Sequence, residues 1–129
     1  MANAGFDRVV LVVEDEPLVR LDIVMTFEDA GFKVHEADSA EEAIDLLERE
    51  PEIRAVFTDI ELRGTMDGLE LAHYVRRRWP PTILVVGSGR IHPSAEAMPS
   101  SAAFIPKPYG EGTVAEVARG ILSKIADAR

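Results

Sequence analysis

The chain has 129 residues, 47% hydrophobic and 29% charged, a composition typical of one globular domain and not of a disordered segment. Fourteen Lys and Arg against 23 Asp and Glu give a net charge of −9. This charge argues against nucleic acid and anionic membrane as partners, because both attract positive proteins.

The absence of cysteine excludes disulfides and thiolate chemistry and fits a cytoplasmic location. The sequence has no apolar run of the roughly 20 residues that span a bilayer, and residues 1–8 lack the pattern of a signal peptide.

Strand-like and helix-like patterns alternate along the chain. Apolar or alternating runs predict five strands, at 8–13, 32–37, 53–58, 82–86 and 102–105. Helical spacing predicts helices that start at Pro17 and stop at Gly31, start at Ser39 and stop before Pro51, run over about 67–78, and run over 114–125. Between the fourth and fifth strands, prolines leave room for little more than one helical turn, near 94–98. These βα units predict a parallel sheet with helices on both faces.

The spacing of apolar residues also predicts which face of each helix is buried. In the first helix, one face is formed by Leu18, Leu21, Val24 and Met25. In the other three helices, the predicted inward residues are Ala40, Ala43, Ile44 and Leu47, then Leu71, Ala72 and Val75, and finally Val114, Val117, Ala118, Ile121 and Ile125.

Charged side chains follow three of the predicted strands. Glu14 and Asp15 follow the first strand, Asp59 follows the third, and Lys107 follows the fifth. Because ligands of open α/β sheets bind beyond the carboxyl ends of the strands, we expect these side chains to converge. Three carboxylates in one place repel one another unless a cation lies among them, and oxygen donors suit Mg²⁺. The chemistry this predicts is phosphoryl transfer onto Asp59, with the metal and Lys107 stabilising negative charge.

The segments that carry these residues resemble the receiver domain of bacterial two-component response regulators. The matching pieces are VLVVEDEP, VFTDIELRGTMDGLEL, ILVVGSG and FIPKPY, in the order and spacing of that family, and the resemblance covers about residues 7–126. It implies a flavodoxin-like α/β fold, doubly wound, with a five-stranded parallel sheet in the order 2-1-3-4-5. From the βα units we expect helices on both faces, and from the prolines between strands four and five a fourth helix that is shorter than in this family. We expect residues 1–129 to form a single, stand-alone receiver domain.

The resemblance also implies a role for each site residue. Asp59 would be the phosphoacceptor for a histidine kinase or a histidine phosphotransfer protein, and Lys107 would contact the phosphoryl group. Asp15 would bind Mg²⁺ directly, Glu14 largely through water, and the Glu61 backbone carbonyl would complete the protein ligands. Phosphorylation would then bias a surface made of the shortened fourth helix near 94–98, the fifth strand and the last helix, over 114–125. We expect that surface to bind an unknown downstream protein and to be the face of a homodimer.

The sequence departs from the family pattern around the switch residues. Gly87 stands at the switch position, where a Thr or Ser is usual, and Ser88 follows one residue later. Two interpretations stay open: Ser88 supplies the hydroxyl through a shifted backbone, or the hydroxyl is missing. Phe104 stands at the switch aromatic position and has no phenol hydroxyl. The loop after Asp59 is one residue longer than usual and has Arg63 where proline is common.

Simpler explanations and other functions stand beside this interpretation. Asp15 and Glu16 could only cap the first helix, and the three histidines are expected to be surface or partly packed residues. The Glu61 side chain could affect the access of hydrolytic water. Two alternative functions are a phosphorylation-independent interaction module and a small phosphatase that works through an aspartyl-phosphate. The chain is expected to be a regulatory domain that supports its own phosphorylation and dephosphorylation, not a dedicated metabolic enzyme.

Overall fold

The computed structural model describes residues 8–128, so the prediction made for the N-terminal segment falls largely outside the described residues. The strands are β1 (Val9–Val13), β2 (Lys33–Ala37), β3 (Ala55–Asp59), β4 (Ile83–Ser88) and β5 (Ala103–Pro106). The α-helices are α1 (Pro17–Asp29), α2 (Ala40–Arg49), α3 (Gly68–Arg78) and α4 (Thr113–Asp127). All the predicted strands and helices are present, with small differences at their ends. Within residues 8–128, no helix has the length and apolar character needed to cross a bilayer.

The five strands form one parallel sheet in the order β2-β1-β3-β4-β5, which confirms the predicted flavodoxin-like topology. β1 and β3 are buried along their whole length, as their continuous apolar sequences predict, whereas β2 at the edge is partly exposed. The register pairs Val13 with Thr58 and Asp59 with Gly87. The carboxyl ends of β1, β3 and β4 therefore lie side by side at one edge of the sheet.

Helices cover both faces of the sheet, as predicted. Side chains of α2 and α3 pack with Leu11, Val56 and Val86 on one face. Side chains of α1 and α4 pack with Val12, Phe57 and other apolar residues on the opposite face. The predicted inward residues Leu71, Ala72 and Val75 of α3 are all buried.

The predicted inward face of α1 is wrong except at Val24. The side chains of Leu18, Leu21 and Met25 are 81%, 53% and 52% exposed, whereas Ile23 and Phe27 are buried. The reason is that α1 carries two apolar stripes. Val19, Ile23 and Phe27 recur every four residues, while the exposed residues recur at spacings of three and four. Spacing alone does not tell which stripe faces the core.

The helix between β4 and β5, which the sequence predicts to be shortened, is confirmed as a single 3-10 turn, Ala95–Ala97. Two side chains of α3 hold this segment against the domain. His73 Nε2 donates to the Ala97 carbonyl oxygen at 2.7 Å, and Arg76 Nε donates to the Ser100 carbonyl oxygen at 2.9 Å. Because the segment has few backbone hydrogen bonds of its own, these contacts fix its position.

The start of α3 lies unusually close to the end of β3. Asp67 and Glu70 form a capping box, and the Gly68 amide donates to the Ile60 carbonyl oxygen at 2.8 Å. A Cβ atom on Gly68 would overlap the carbonyl oxygen of Asp59. Glycine at this position therefore allows α3 to pack directly on the backbone of the residue that ends β3.

Replacing Gly68 by alanine tests this close approach. Because a Cβ atom would push α3 away from β3, we expect Gly68→Ala to lower the free energy of unfolding by about 1–3 kcal/mol. The matched control is Gly120→Ala on α4, where the added methyl group meets no other atom within 4 Å. There we expect a gain of about 0.5–1 kcal/mol, because alanine favours a helix. Urea denaturation measures both, and equal effects of the two substitutions would contradict the packing argument.

Candidate functional site

Three carboxylates meet at the carboxyl edge of the sheet. Glu14 and Asp15 follow β1 directly, and Asp59 is the last residue of β3, the neighbouring strand. One oxygen from each of the three side chains lies within 4.8 Å of the other two. The structure thus brings together the acids that the sequence places after separate strands.

Lys107 is held over two of these acids. Its Nζ atom donates to Glu14 Oε1 at 2.9 Å and lies 3.4 Å from Asp59 Oδ1. The Lys107 amide donates to the Ser88 carbonyl oxygen at 2.9 Å, which continues the β4–β5 pairing beyond the strand end. The ammonium group is therefore positioned by the sheet and not by a flexible loop.

Glu14 and Asp15 are held by contacts that leave little freedom. Glu14 is 1% exposed, and its Oε2 accepts a hydrogen bond from the Glu16 amide at 3.2 Å. Asp15 Oδ2 accepts one from the Arg63 amide, in the loop after β3, at 3.1 Å. Glu16 occupies the N-cap position of α1 but makes no side-chain capping bond. The capping explanation for these acids therefore finds no support in their hydrogen bonds.

The carboxyl group of Asp59 is unfavourably placed for a charge. Burial, and then the negative charge of Glu14, raise its pKa to about 7, although the charge of Lys107 opposes this. Its Oδ1 atom is buried and accepts no well-formed hydrogen bond from the described residues. Burial alone would lower the pKa of Lys107, but its hydrogen bond to Glu14 and the charges of Glu14 and Asp59 raise it. Lys107 is therefore a firmly charged cation beside a carboxylate that one cation does not fully compensate.

These residues fit a hard divalent cation. The donors are all carboxylate oxygens, which Mg²⁺ prefers, and the unsatisfied Oδ1 of Asp59 lies among them. A second cation would offset the repulsion that raises the pKa of Asp59.

The structure also places the four other predicted site residues. Gly87 pairs with Asp59 across the sheet. Ser88 is buried, and its Oγ accepts a hydrogen bond from the Ile91 amide at 2.9 Å. Phe104 packs on the face covered by α2 and α3, with its ring 5.3 Å from that of His92. The Glu61 side chain accepts a hydrogen bond from the Arg90 amide at 3.3 Å, and the role assigned to the Glu61 backbone carbonyl stays a prediction.

Tyr109 reaches the site although no sequence pattern singled it out. A Cβ atom on Gly87 would overlap the Tyr109 hydroxyl oxygen, so the phenol fills the space that a side chain at residue 87 would take. The sequence contains only an indirect signal. A tyrosine stands two residues after Lys107, and residue 87 near the end of β4 is a glycine.

The fold and the site together define a class of protein. A doubly wound parallel sheet in the order 2-1-3-4-5, with acids and a lysine at the carboxyl edge, is a flavodoxin-like domain, and open α/β sheets bind their ligands at that edge. Residues 10–119 match the family model described as response regulator receiver domain, and the chain belongs to that family. Receiver domains are regulatory signalling domains that generally bind Mg²⁺ at an acidic pocket and interact with histidine kinases.

Two curated relatives are response-regulator and kinase proteins. The chain is 35% identical to a putative NtrX-like response regulator of Rickettsia bellii over 104 residues, which are 78% of this chain and 22% of that protein. It is 33% identical to the sensor kinase CckA of Brucella abortus over 119 residues, 89% of this chain and 12% of that protein. The chain thus spans about a fifth or less of the length of these relatives.

Solved structures show the same architecture. A response regulator receiver protein from Sinorhizobium medicae aligns with a TM-score of 0.80 at 27% identity, covering 94% of this chain and 96% of that one. The receiver domain of NtrX from Brucella abortus aligns with a TM-score of 0.75 at 31% identity, covering 88% and 98%.

The raised pKa of Asp59 predicts that the metal-free folded protein becomes less stable as the pH rises. Between about pH 4 and pH 7 the folded state binds a proton at Asp59 more tightly than the unfolded state, so the stability of the wild type falls as pH rises through this window. Asp59→Asn has no such proton. Its stability relative to the wild type should therefore grow by about 2–4 kcal/mol across the window, at about 1.4 kcal/mol per pKa unit.

Chemical denaturation in the presence of a chelator, at several pH values, measures this difference. The control is Asp29→Asn, which removes an exposed carboxylate at the end of α1 and should track the wild type. A constant stability difference between Asp59→Asn and the wild type from pH 4 to pH 8 would contradict the pKa shift.

Proposed function

We propose that the protein is a phosphorylation-dependent signalling switch that accepts a phosphoryl group on Asp59 from a histidine kinase or a histidine phosphotransfer protein. The observation that carries this proposal is the buried, incompletely satisfied Asp59 carboxylate with the Lys107 ammonium 3.4 Å away. A structural ion pair would complete the hydrogen bonds of its carboxylate, whereas a phosphoacceptor must keep an oxygen available.

The transfer step follows from this arrangement. A carboxylate oxygen of Asp59 forms a bond to phosphorus while the bond between phosphorus and the donor imidazole breaks. The imidazole nitrogen leaves with the electron pair of that bond and takes up a proton. Lys107, already positioned over Asp59, then faces the added negative charge and compensates part of it.

The metal part of the proposal rests on the three clustered carboxylates. Asp15 would hold Mg²⁺ directly and Glu14 largely through water, together with Asp59 and the backbone carbonyl of Glu61. When bound, Mg²⁺ supplies positive charge that stabilises phosphoryl oxygens. The Glu14 contacts to Lys107 and to the Glu16 amide support an indirect role, because they already occupy both of its carboxylate oxygens.

Access to the site supports a protein donor. An open depression bordered by Leu18, Asp22, Arg90 and Tyr109 reaches Lys107. The exposed apolar side chain of Leu18 on α1 lies at its rim, where a partner helix carrying a phosphohistidine could pack. The proposal includes a cytoplasmic location for the protein, because a phosphohistidine donor is made from ATP in the cytoplasm.

The output of the switch is protein contact. In this proposal residues 1–129 act as one receiver domain, and its phosphorylation state is communicated through the surface formed by Ala95–Ala97, β5 and α4. That surface would bind the downstream protein or a second copy of the chain. The contacts of His73 and Arg76 to the segment around Ala95–Ala97 support this, because they link α3 to the same surface.

Phosphorylation by a small donor tests the proposed acceptor. We expect the wild type incubated with acetyl phosphate and Mg²⁺ to gain one phosphoryl group by intact-mass spectrometry, with little gain when a chelator replaces Mg²⁺. Asp59→Asn should gain none, because its amide is not a nucleophile of the strength of the carboxylate. Asp29→Asn, with the same loss of one charge, should react as the wild type does. A phosphoryl group that persists in Asp59→Asn would refute Asp59 as the acceptor.

Metal binding is expected to stabilise the folded state. At a Mg²⁺ concentration tenfold above the dissociation constant, the wild type should gain about 1.4 kcal/mol, because the unfolded chain does not gather the three acids. Asp15→Asn should lose most of this gain and Asp29→Asn should keep it. Thermal denaturation with increasing Mg²⁺ gives the comparison, and equal stabilisation of the wild type and Asp15→Asn would contradict the assigned ligand.

A further inference from the structure

The hydroxyl group of Tyr109 is buried beside Asp59. Gly87, whose missing side chain leaves room for this hydroxyl, is the direct partner of Asp59 in the β3–β4 register. Neighbouring strands lie about 4.8 Å apart, so a group at the Cβ position of residue 87 is next to the side chain of residue 59. The Tyr109 ring is fixed there by an edge-on contact with Phe57, with ring centroids 5.7 Å apart.

This hydroxyl has no hydrogen-bond partner. Within residues 8–128, three buried side-chain polar atoms lack one, and two of them are in this site: Tyr109 Oη and Asp59 Oδ1. Native proteins satisfy nearly all such groups, so an orphaned pair beside a reaction centre calls for a ligand. Burial, followed by the charges of Asp59 and Glu14, raises the pKa of Tyr109 above its ordinary range. Because the ordinary pKa of a phenol is about 10, this hydroxyl is protonated at neutral pH and is a hydrogen-bond donor.

A phosphoryl group on Asp59 would satisfy this donor. It adds three acceptor oxygens and negative charge at the end of β3. Lys107 Nζ approaches the carboxylates from one side and lies 5.9 Å from the centroid of the Tyr109 ring, so the lysine and the phenol border the same space.

We propose that Tyr109 donates a hydrogen bond from its hydroxyl group to the phosphoryl group on Asp59, and that Gly87 lacks a side chain to make room for it. This inference rests on the proposed phosphorylation of Asp59. It assigns the hydroxyl at this site to Tyr109 and not to Ser88. Asp59 pairs with Gly87, and the side chain of Ser88, one residue later in β4, points to the opposite face of the sheet, where its hydroxyl accepts a hydrogen bond from the Ile91 amide.

Tyr109→Phe is the test, because it removes only the oxygen atom. With acetyl phosphate and Mg²⁺, we expect its rate constant of phosphorylation to fall about tenfold or more. The reason is that the variant loses one hydrogen-bond donor to the negative charge that develops on the phosphoryl group in the transition state. Tyr74→Phe is the matched control, since Tyr74 is the other tyrosine of the chain and packs near Trp79 on α3. Tyr74→Phe should stay within about twofold of the wild type, and the rate should fall less in Ser88→Ala than in Tyr109→Phe.

Two further measurements separate this role from a structural one. Because the hydroxyl has no partner before phosphorylation, Tyr109→Phe should be as stable as the wild type or more stable in urea denaturation. With ring-labelled tyrosine, addition of beryllium fluoride, which mimics a phosphoryl group, should shift the NMR signals of Tyr109 and leave those of Tyr74 unchanged.

The outcomes distinguish this inference from the function on which it rests. A wild type that takes up no phosphoryl group refutes the proposed function. A wild type that is phosphorylated no faster than Tyr109→Phe refutes the role of Tyr109 alone. A loss of rate in Ser88→Ala without one in Tyr109→Phe would also overturn it and return the hydroxyl to Ser88.

Discussion

The structure depends on the burial of the Asp59 carboxylate at the end of the central strand β3. Asp59 is 4% exposed, Glu14 beside it is 1% exposed, and Lys107 is the only lysine that reaches them within residues 8–128. Two buried carboxylates against one ammonium group leave an excess of negative charge, which burial makes costly. The burial of this excess negative charge favours a further cation at this position.

Two glycines set the dimensions of this site from opposite sides. Gly68 lets the start of α3 pack on the backbone of Asp59, and Gly87 lets the Tyr109 phenol pack beside its side chain. At neither position does the glycine φ lie in the left-handed region, so the reason for glycine is space and not backbone conformation. Asp59 is thereby enclosed by backbone on one side and a phenol on the other, with Lys107 above.

Much of this could be predicted because the signals were local. Strands and helices followed from apolar spacing, and the meeting of Glu14, Asp15, Asp59 and Lys107 followed from parallel topology, since carboxyl ends of parallel strands share one edge. The inward face of α1 could not be predicted, because Leu18 and Ile23 belong to two apolar stripes that both fit helical spacing. Tyr109 was missed for a different reason: its contact with Gly87 depends on a side chain crossing from the loop after β5, which no pattern within one segment encodes.

The glycine at residue 87 and the Tyr109 hydroxyl that occupies its side-chain position depend on each other. A glycine at the end of a buried strand is unfavourable by itself, because it loses chain entropy and leaves a gap. The Tyr109 hydroxyl fills that gap and its ring packs on Phe57, so the packing of the tyrosine offsets the unfavourable effect of the glycine. The hydroxyl then remains as a buried donor without an acceptor, which a packing role does not explain. Phenylalanine would lack the oxygen atom that occupies the Cβ position of residue 87, and that oxygen gains a hydrogen bond when an acceptor arrives at Asp59.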